Sequence, residues 1–177
     1  MQATGVAEGR QPRPLVGAPD LLTALRVPLA AAFVLADSGA ARLAVLALAA
    51  ASDFIDGIWA RRVGGSRLGG VLDPICDKVF IVAAFAVVMR GGVLSTWEIL
   101  GVLLRDIVAA VAFLVVWMLR RPTTLPARAG GKAVTVGQLL TLVAFLAGSD
   151  LVRPLAWATA AMSVYAIADY SRAARHR

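Results

Sequence analysis

The sequence predicts an all-α fold, a polytopic integral membrane protein built as a six-transmembrane-helix bundle. Three observations carry that expectation. Of 177 residues, 59% are hydrophobic and 16% charged, with mean hydropathy +0.77, more apolar surface than a soluble domain of this length could bury. The apolar residues fall in six runs, and none shows the two-residue alternation of a half-buried strand. The basic residues cluster between those runs.

In chain order, residues 1–19 are rich in Gly, Pro and Arg and read as a cytoplasmic or interfacial segment ahead of one helical domain, 20–171. The first span, 20–36, opens with Leu21-Leu22-Thr23-Ala24-Leu25-Arg26. The second, 41–60, ends among carboxylates, and the third, 71–89, begins among them. The fourth, 97–119, holds Arg105-Asp106 near its middle. The fifth, 133–147, follows Gly130-Gly131-Lys132, and the sixth, 151–170, leads into a basic tail, 172–177. Some fall short of the roughly 20 residues that cross a bilayer upright, so their number is firmer than their ends.

Orientation follows from the basic residues. With the connection between spans 2 and 3 in the cytoplasm, thirteen Lys and Arg fall on that side and three, Arg42, Arg90 and Arg153, on the other; Arg26 and Arg105 lie within spans. That asymmetry places both termini and the acidic residues on the cytoplasmic face of a plasma membrane. The net charge of +7 therefore points to anionic lipid head groups and not to nucleic acid. The N-terminus lacks the pattern of a removable signal peptide. The single cysteine, Cys76, rules out an internal disulfide and reads as a small packing residue.

Four carboxylates mark the candidate site: Asp53 and Asp56, three residues apart, and Asp73 and Asp77, four apart. On helices each pair projects from one side. Between them Arg61-Arg62-Val63-Gly64-Gly65-Ser66-Arg67 is suited to reversing the chain, so that two helices face one another with four acids near the reversal. Four uncompensated carboxylates in an apolar setting repel strongly. Two hard divalent cations, Mg²⁺ or Mn²⁺, would relieve that conflict, and a metal pair about 3.5–4 Å apart serves displacement at phosphorus. Gly57 and Ala60 leave room beside Asp53 and Asp56, and Arg61 is placed to meet a phosphate. The competing reading pairs the acids with Arg61, Arg62, Arg67 and Lys78 as interfacial ion pairs. Pro74 adds another, in which it restarts span 3 and Asp73 becomes a helix N-cap.

The pattern Asp53-x-x-Asp56-Gly57-x-x-Ala60-Arg61, then Gly69-x-x-x-Asp73-x-x-x-Asp77, resembles the signature of the CDP-alcohol phosphatidyltransferases at every fixed position. The resemblance implies transfer of a phosphatidyl group from CDP-diacylglycerol to an alcohol, with release of CMP. It implies metal ligation by Asp53, Asp56, Asp73 and Asp77, with Asp77 also taking the proton of the attacking hydroxyl. Gly57, Ala60, Arg61 and Gly69 would join Asp53 and Asp56 around the CDP group. Dimerisation is common in the family, so a homodimer is a further expectation.

Three smaller groups remain. Arg26, one turn into span 1, either snorkels to the interface or contacts a CDP phosphate with Thr23 beside it. Arg105 and Asp106 point about 100° apart as helix neighbours, poorly placed to neutralise one another, so each is expected to find a partner on another helix. The competing roles for that pair are an interhelical tie and, by resemblance, acceptor binding. Gly131-Lys132-x-x-Thr135-x-x-Gln138 resembles the matching stretch of bacterial enzymes that make phosphatidylglycerol phosphate or cardiolipin, which puts Lys132 and Thr135 on the acceptor side. Asp73-Pro74-x-x-Asp77-Lys78 resembles those same branches. Glycerol 3-phosphate is the expected acceptor, with phosphatidylglycerol, as in cardiolipin synthase, the alternative. An ion- or proton-coupled transporter would instead spread its acids through the membrane depth and show a repeat between halves, and neither is seen. A scaffold without chemistry leaves the carboxylate spacing unexplained.

Overall fold

Six helices account for the secondary structure of the described residues: α1 (Ala18–Leu35), α2 (Gly39–Val63), α3 (Gly69–Arg90), α4 (Thr96–Met118), α5 (Ala129–Leu146) and α6 (Val152–Arg175). The structure, a computed structural model, describes residues 18–63, 69–119 and 129–175; within them the side chains of 18–22, 56–57, 59–63, 69–74, 116–117, 129, 170 and 173–175 lie outside the description. The expected helix count holds, while several ends move. α2 runs on to Val63, so Arg61 and Arg62 are helical and not part of the reversal. α3 starts at Gly69, four residues before Asp73, so Pro74 does not restart the helix and Asp73 is not its N-cap. α5 begins at Ala129, which brings Gly130-Gly131-Lys132 into its first turn. These polar ends were misjudged for one reason: hydropathy marks where apolar contact stops, while a helix continues as long as its backbone hydrogen bonds are met.

The helix starts and stops at the end away from the acids have local causes. Ser38 Oγ accepts a hydrogen bond from the Ala41 N–H (3.1 Å) and caps α2. Ser95 and Glu98 form a reciprocal capping box on α4: Ser95 Oγ accepts from the Glu98 N–H (3.3 Å) and Glu98 Oε2 accepts from the Ser95 N–H (2.8 Å). α5 closes where Gly148 takes φ 64° and the Ser149 N–H reaches the Ala144 carbonyl (2.9 Å), a bond that the left-handed glycine makes reachable.

The bundle divides into two groups of three. α1 packs chiefly on α3 and α2, while α6 packs on α5 and α4. Fewer contacts join the groups, through α2 with α5 and through α3 with α4 and α5. The apolar core spans both: Phe33 meets Phe80 edge to face (5.8 Å between centroids), and Phe85, Val88, Val102 and Leu142 are fully buried around them. Two buried hydroxyls are satisfied within their own helices, Thr141 donating to the Gly137 carbonyl (2.8 Å) and Thr159 to Leu155 (2.7 Å), while Ser163 on α6 reaches the Val102 carbonyl of α4 (3.4 Å). Cys76 is buried, as expected of a packing residue. Among the described residues, no helix is both long and apolar enough to cross a membrane.

Candidate active site

The polar interior begins at Arg26. Its side chain, buried in the first group of helices, is only 3% exposed, and a guanidinium there requires carboxylate partners. Among the described residues these are Asp53 and Asp77: Nη2 donates to Asp53 Oδ1 on α2 (2.7 Å) and Nη1 to Asp77 Oδ1 on α3 (2.6 Å). Arg26 thus turns inward instead of snorkelling, and it ties α1 to both acidic helices. Thr23 is buried one turn before it.

The two aspartates face the other way as well. The Asp53 and Asp77 side chains remain 63% and 51% exposed, so both carboxylates reach solvent as well as Arg26. Both line a cavity of about 290 Å³ whose wall includes Lys78, Thr135 and Gln138. Hard oxygen donors brought from two helices to one point, reachable from outside, are the donor chemistry that Mg²⁺ or Mn²⁺ takes. Asp56 lies one turn beyond Asp53 on α2, and Asp73 one turn before Asp77 on α3. Their side chains lie outside the described residues, among which no group of three or more metal-ligating side chains is gathered. Gly57, Ala60 and Arg61 continue α2, and Gly69 opens α3; their surroundings likewise lie outside the description.

A second cluster sits behind the same cavity. Asp106, buried on α4, accepts from Lys78 Nζ of α3 at Oδ1 and from Gln138 Nε2 of α5 at Oδ2 (2.5 Å). Gln138 Nε2 also reaches the Val102 carbonyl (3.1 Å). Arg105 Nη1 reaches the same Asp106 Oδ1 at 3.0 Å, so the neighbours do pair, contrary to the expectation from their helical angle. The arginine side chain is long enough to curl back over that angle, which a count of Cβ directions overlooks. Asp106 does find partners on neighbouring helices. Thr135 lines the cavity and its hydroxyl donates to the Gly131 carbonyl (3.2 Å), while Lys132 is exposed and outside the wall.

Two cavity residues, Lys78 and Gln138, belong to the sequence motifs, yet spacing alone assigns them no place in the site. A signal for Gln138 exists: an amide seven residues after Gly131 and three after Thr135, in an otherwise apolar run, needs a buried partner. A larger cavity, about 640 Å³, lies at the opposite end against the α5–α6 turn, lined by Phe145, Asp150, Arg153 and Trp157. There Arg153 pairs with Glu98 (3.2 Å) and Trp157 Nε1 donates to the same carboxylate (3.1 Å), an arrangement that closes on itself. Size alone would favour that cavity; the carboxylates and cations converge on the smaller one.

An all-helical bundle in which one buried arginine ties two carboxylate-bearing helices beside a cavity is the class of site that the structure defines. Comparison with known proteins gives the class its family. Residues 16–166 match the family CDP-alcohol phosphatidyltransferase, and the chain belongs to it. A Mycobacterium tuberculosis protein provisionally named cardiolipin synthase is 31% identical over 84% of this chain and 76% of its own length. A Pseudomonas fluorescens protein named CDP-diacylglycerol–glycerol-3-phosphate 3-phosphatidyltransferase is 35% identical over 73% of this chain and 71% of its own. A Streptomyces coelicolor protein named cardiolipin synthase (CMP-forming) is 36% identical over 52% of this chain and 43% of its own. No solved structure matches. The chain is therefore an enzyme of phospholipid biosynthesis, a CDP-alcohol phosphatidyltransferase, of a family that uses divalent metal ions. That membership sets aside the transporter and the scaffold.

Proposed function

We propose that this enzyme transfers the phosphatidyl group of CDP-diacylglycerol to glycerol 3-phosphate, giving phosphatidylglycerol phosphate and CMP. The observation that carries the reading is the meeting of Asp53 and Asp77 on Arg26 at a cavity that Lys78 also lines. The acceptor hydroxyl oxygen attacks the phosphorus that bears diacylglycerol. The new P–O bond forms as the bond to CMP breaks, the electron pair leaves on CMP, and Asp77 takes the hydroxyl proton. Asp53, Asp56, Asp73 and Asp77 would hold two divalent ions, which when bound supply charge stabilisation for the pyrophosphate and the leaving group. Gly57, Ala60, Arg61 and Gly69 flank the CDP group in this scheme. Arg26, which also ties Asp53 to Asp77, and Thr23 one turn before it join that CDP-binding set.

The same reading places the bundle in a plasma membrane, multi-pass, with this cavity and both termini at the cytoplasmic face. Large apolar side chains exposed along the helices, among them Leu48, Phe54, Val82, Leu114 and Val164, support a lipid surround, as does mean hydropathy of +0.77. Dimer formation through such a face belongs to the proposal too. Phosphatidylglycerol is the second acceptor, favoured by the relatives named cardiolipin synthase.

Purified protein with Mg²⁺ or Mn²⁺, CDP-diacylglycerol and a panel of alcohols tests this by CMP release. Release with glycerol 3-phosphate is the expected result. Release with phosphatidylglycerol alone would replace the acceptor, and activity retained in Asp77→Asn would remove the proposed base.

A further inference from the structure

We propose that Lys78 is the phosphate-binding cation of the acceptor subsite, held in the cavity wall by a buried Asp106–Gln138 bracket. The inference rests on the reading that the acceptor carries a phosphate, a feature common to glycerol 3-phosphate and phosphatidylglycerol.

Four observations lead there. Lys78 follows Asp77 in α3, and both side chains line the one cavity. The Lys78 side chain is 31% exposed while its partner Asp106 is 6% exposed, so the ammonium is anchored on a buried carboxylate by a side chain that is itself partly open. An ammonium has three N–H donors, and Asp106 Oδ1 takes one of them. Among the described residues that line the cavity the cations are Lys78 and Arg26, and Arg26 donates to Asp53 and Asp77.

Asp106 is correspondingly a positioning residue. Its Oδ2 is fixed by Gln138 Nε2 (2.5 Å), which the Val102 carbonyl fixes in turn (3.1 Å). Arg105 at 3.0 Å offsets part of the Asp106 charge. A lysine so held arrives at the cavity with its long side chain already ordered, which lowers the entropy cost of gripping a phosphate. The bracket draws on α3, α4 and α5 and crosses the seam between the two helix groups, so the acceptor site depends on how those groups meet.

Steady-state kinetics with the full chain, Mg²⁺ and CDP-diacylglycerol test this against varied glycerol 3-phosphate. Lys78→Gln should raise the acceptor KM about tenfold or more while the KM for CDP-diacylglycerol stays within about twofold. Lys78→Arg should recover part of that loss, and Asp106→Asn should move the acceptor KM the same way by less. A fall in kcat with the acceptor KM unchanged would overturn the inference, because Lys78 would then serve only to aim Asp77. An equal rise in both KM values would overturn it as well.

Labelling of the unmodified enzyme gives a readout that does not depend on any variant folding. Acetylation of Lys78, followed by mass spectrometry, should slow when glycerol 3-phosphate or inorganic phosphate is present; no protection by either overturns the inference. Wild-type protein that releases no CMP with either phosphate-bearing alcohol would refute the proposed function instead, and the labelling still decides whether Lys78 binds phosphate.

Discussion

Arg26 illustrates how one residue sets the site. A buried guanidinium between Asp53 and Asp77 offsets their repulsion and fixes the spacing of α2 and α3. Arg26→Met removes the countercharge but leaves two carboxylates that are more than half exposed, so solvent screens much of the loss. The expected destabilisation is about 1–2 kcal/mol, below the cost of orphaning a fully buried charge. Thermal melting should show that deficit narrowing when Mg²⁺ is added, since a divalent ion would restore positive charge between the acids. A deficit indifferent to Mg²⁺ would argue against ion binding by this pair. Gln138 is the opposite case, fully enclosed. Gln138→Leu strips a donor from Asp106 and from the Val102 carbonyl, and unfolding measurements should register about 1–3 kcal/mol. The aspartates were legible from spacing alone; the partners that Arg26 and Asp106 find on other helices were not, because those contacts join residues 27 to 51 positions apart.

At the scale of elements, glycine decides how closely α5 and α6 approach. A Cβ on Gly137 would sit 2.5 Å from Thr159 Oγ1 and 2.8 Å from Met162 Cε. Thr159 is itself buried and bonded to the Leu155 carbonyl, so it has little room to yield. Gly137→Ala should therefore cost about 1–3 kcal/mol by overpacking and disturb Gln138 beside it. Gly101→Ala meets only Ala160 Cβ at 3.1 Å and should lower the melting temperature less. Equal effects of the two variants in the same melting assay would contradict this account of the α5–α6 contact. Ser95→Ala, which removes the α4 cap, should cost about 1 kcal/mol without touching CMP release, because it lies at the far end of the bundle. The sequence revealed that these segments are helical. It did not reveal which glycines touch a neighbour, since nothing in a one-dimensional pattern distinguishes Gly137 from Gly130.

At the scale of the molecule, polar side chains of both helix groups meet at one cavity among the described residues, while at the opposite end Arg153 and Trp157 both engage Glu98 beside the larger cavity. The proposed orientation, with the first end in the cytoplasm, is one that topology reporters can check. A C-terminal fusion should be active only as a cytoplasmic reporter, and one in the α3–α4 connection only as an external reporter. The reverse pattern would turn the proposed enzyme inside out and separate it from cytoplasmic glycerol 3-phosphate.

The chain by itself determined the helical class, the number of helices and the identity of the acidic motif. Hydropathy and residue spacing are local properties, written along the backbone and readable without knowing what packs on what. Only the tertiary structure decided that Arg26 serves the acids, that Arg105 folds back on Asp106, and that Lys78 and Gln138 belong to the cavity. A buried charge must be satisfied by whichever groups the folded bundle brings within hydrogen-bond reach, and that choice is made across helices by packing.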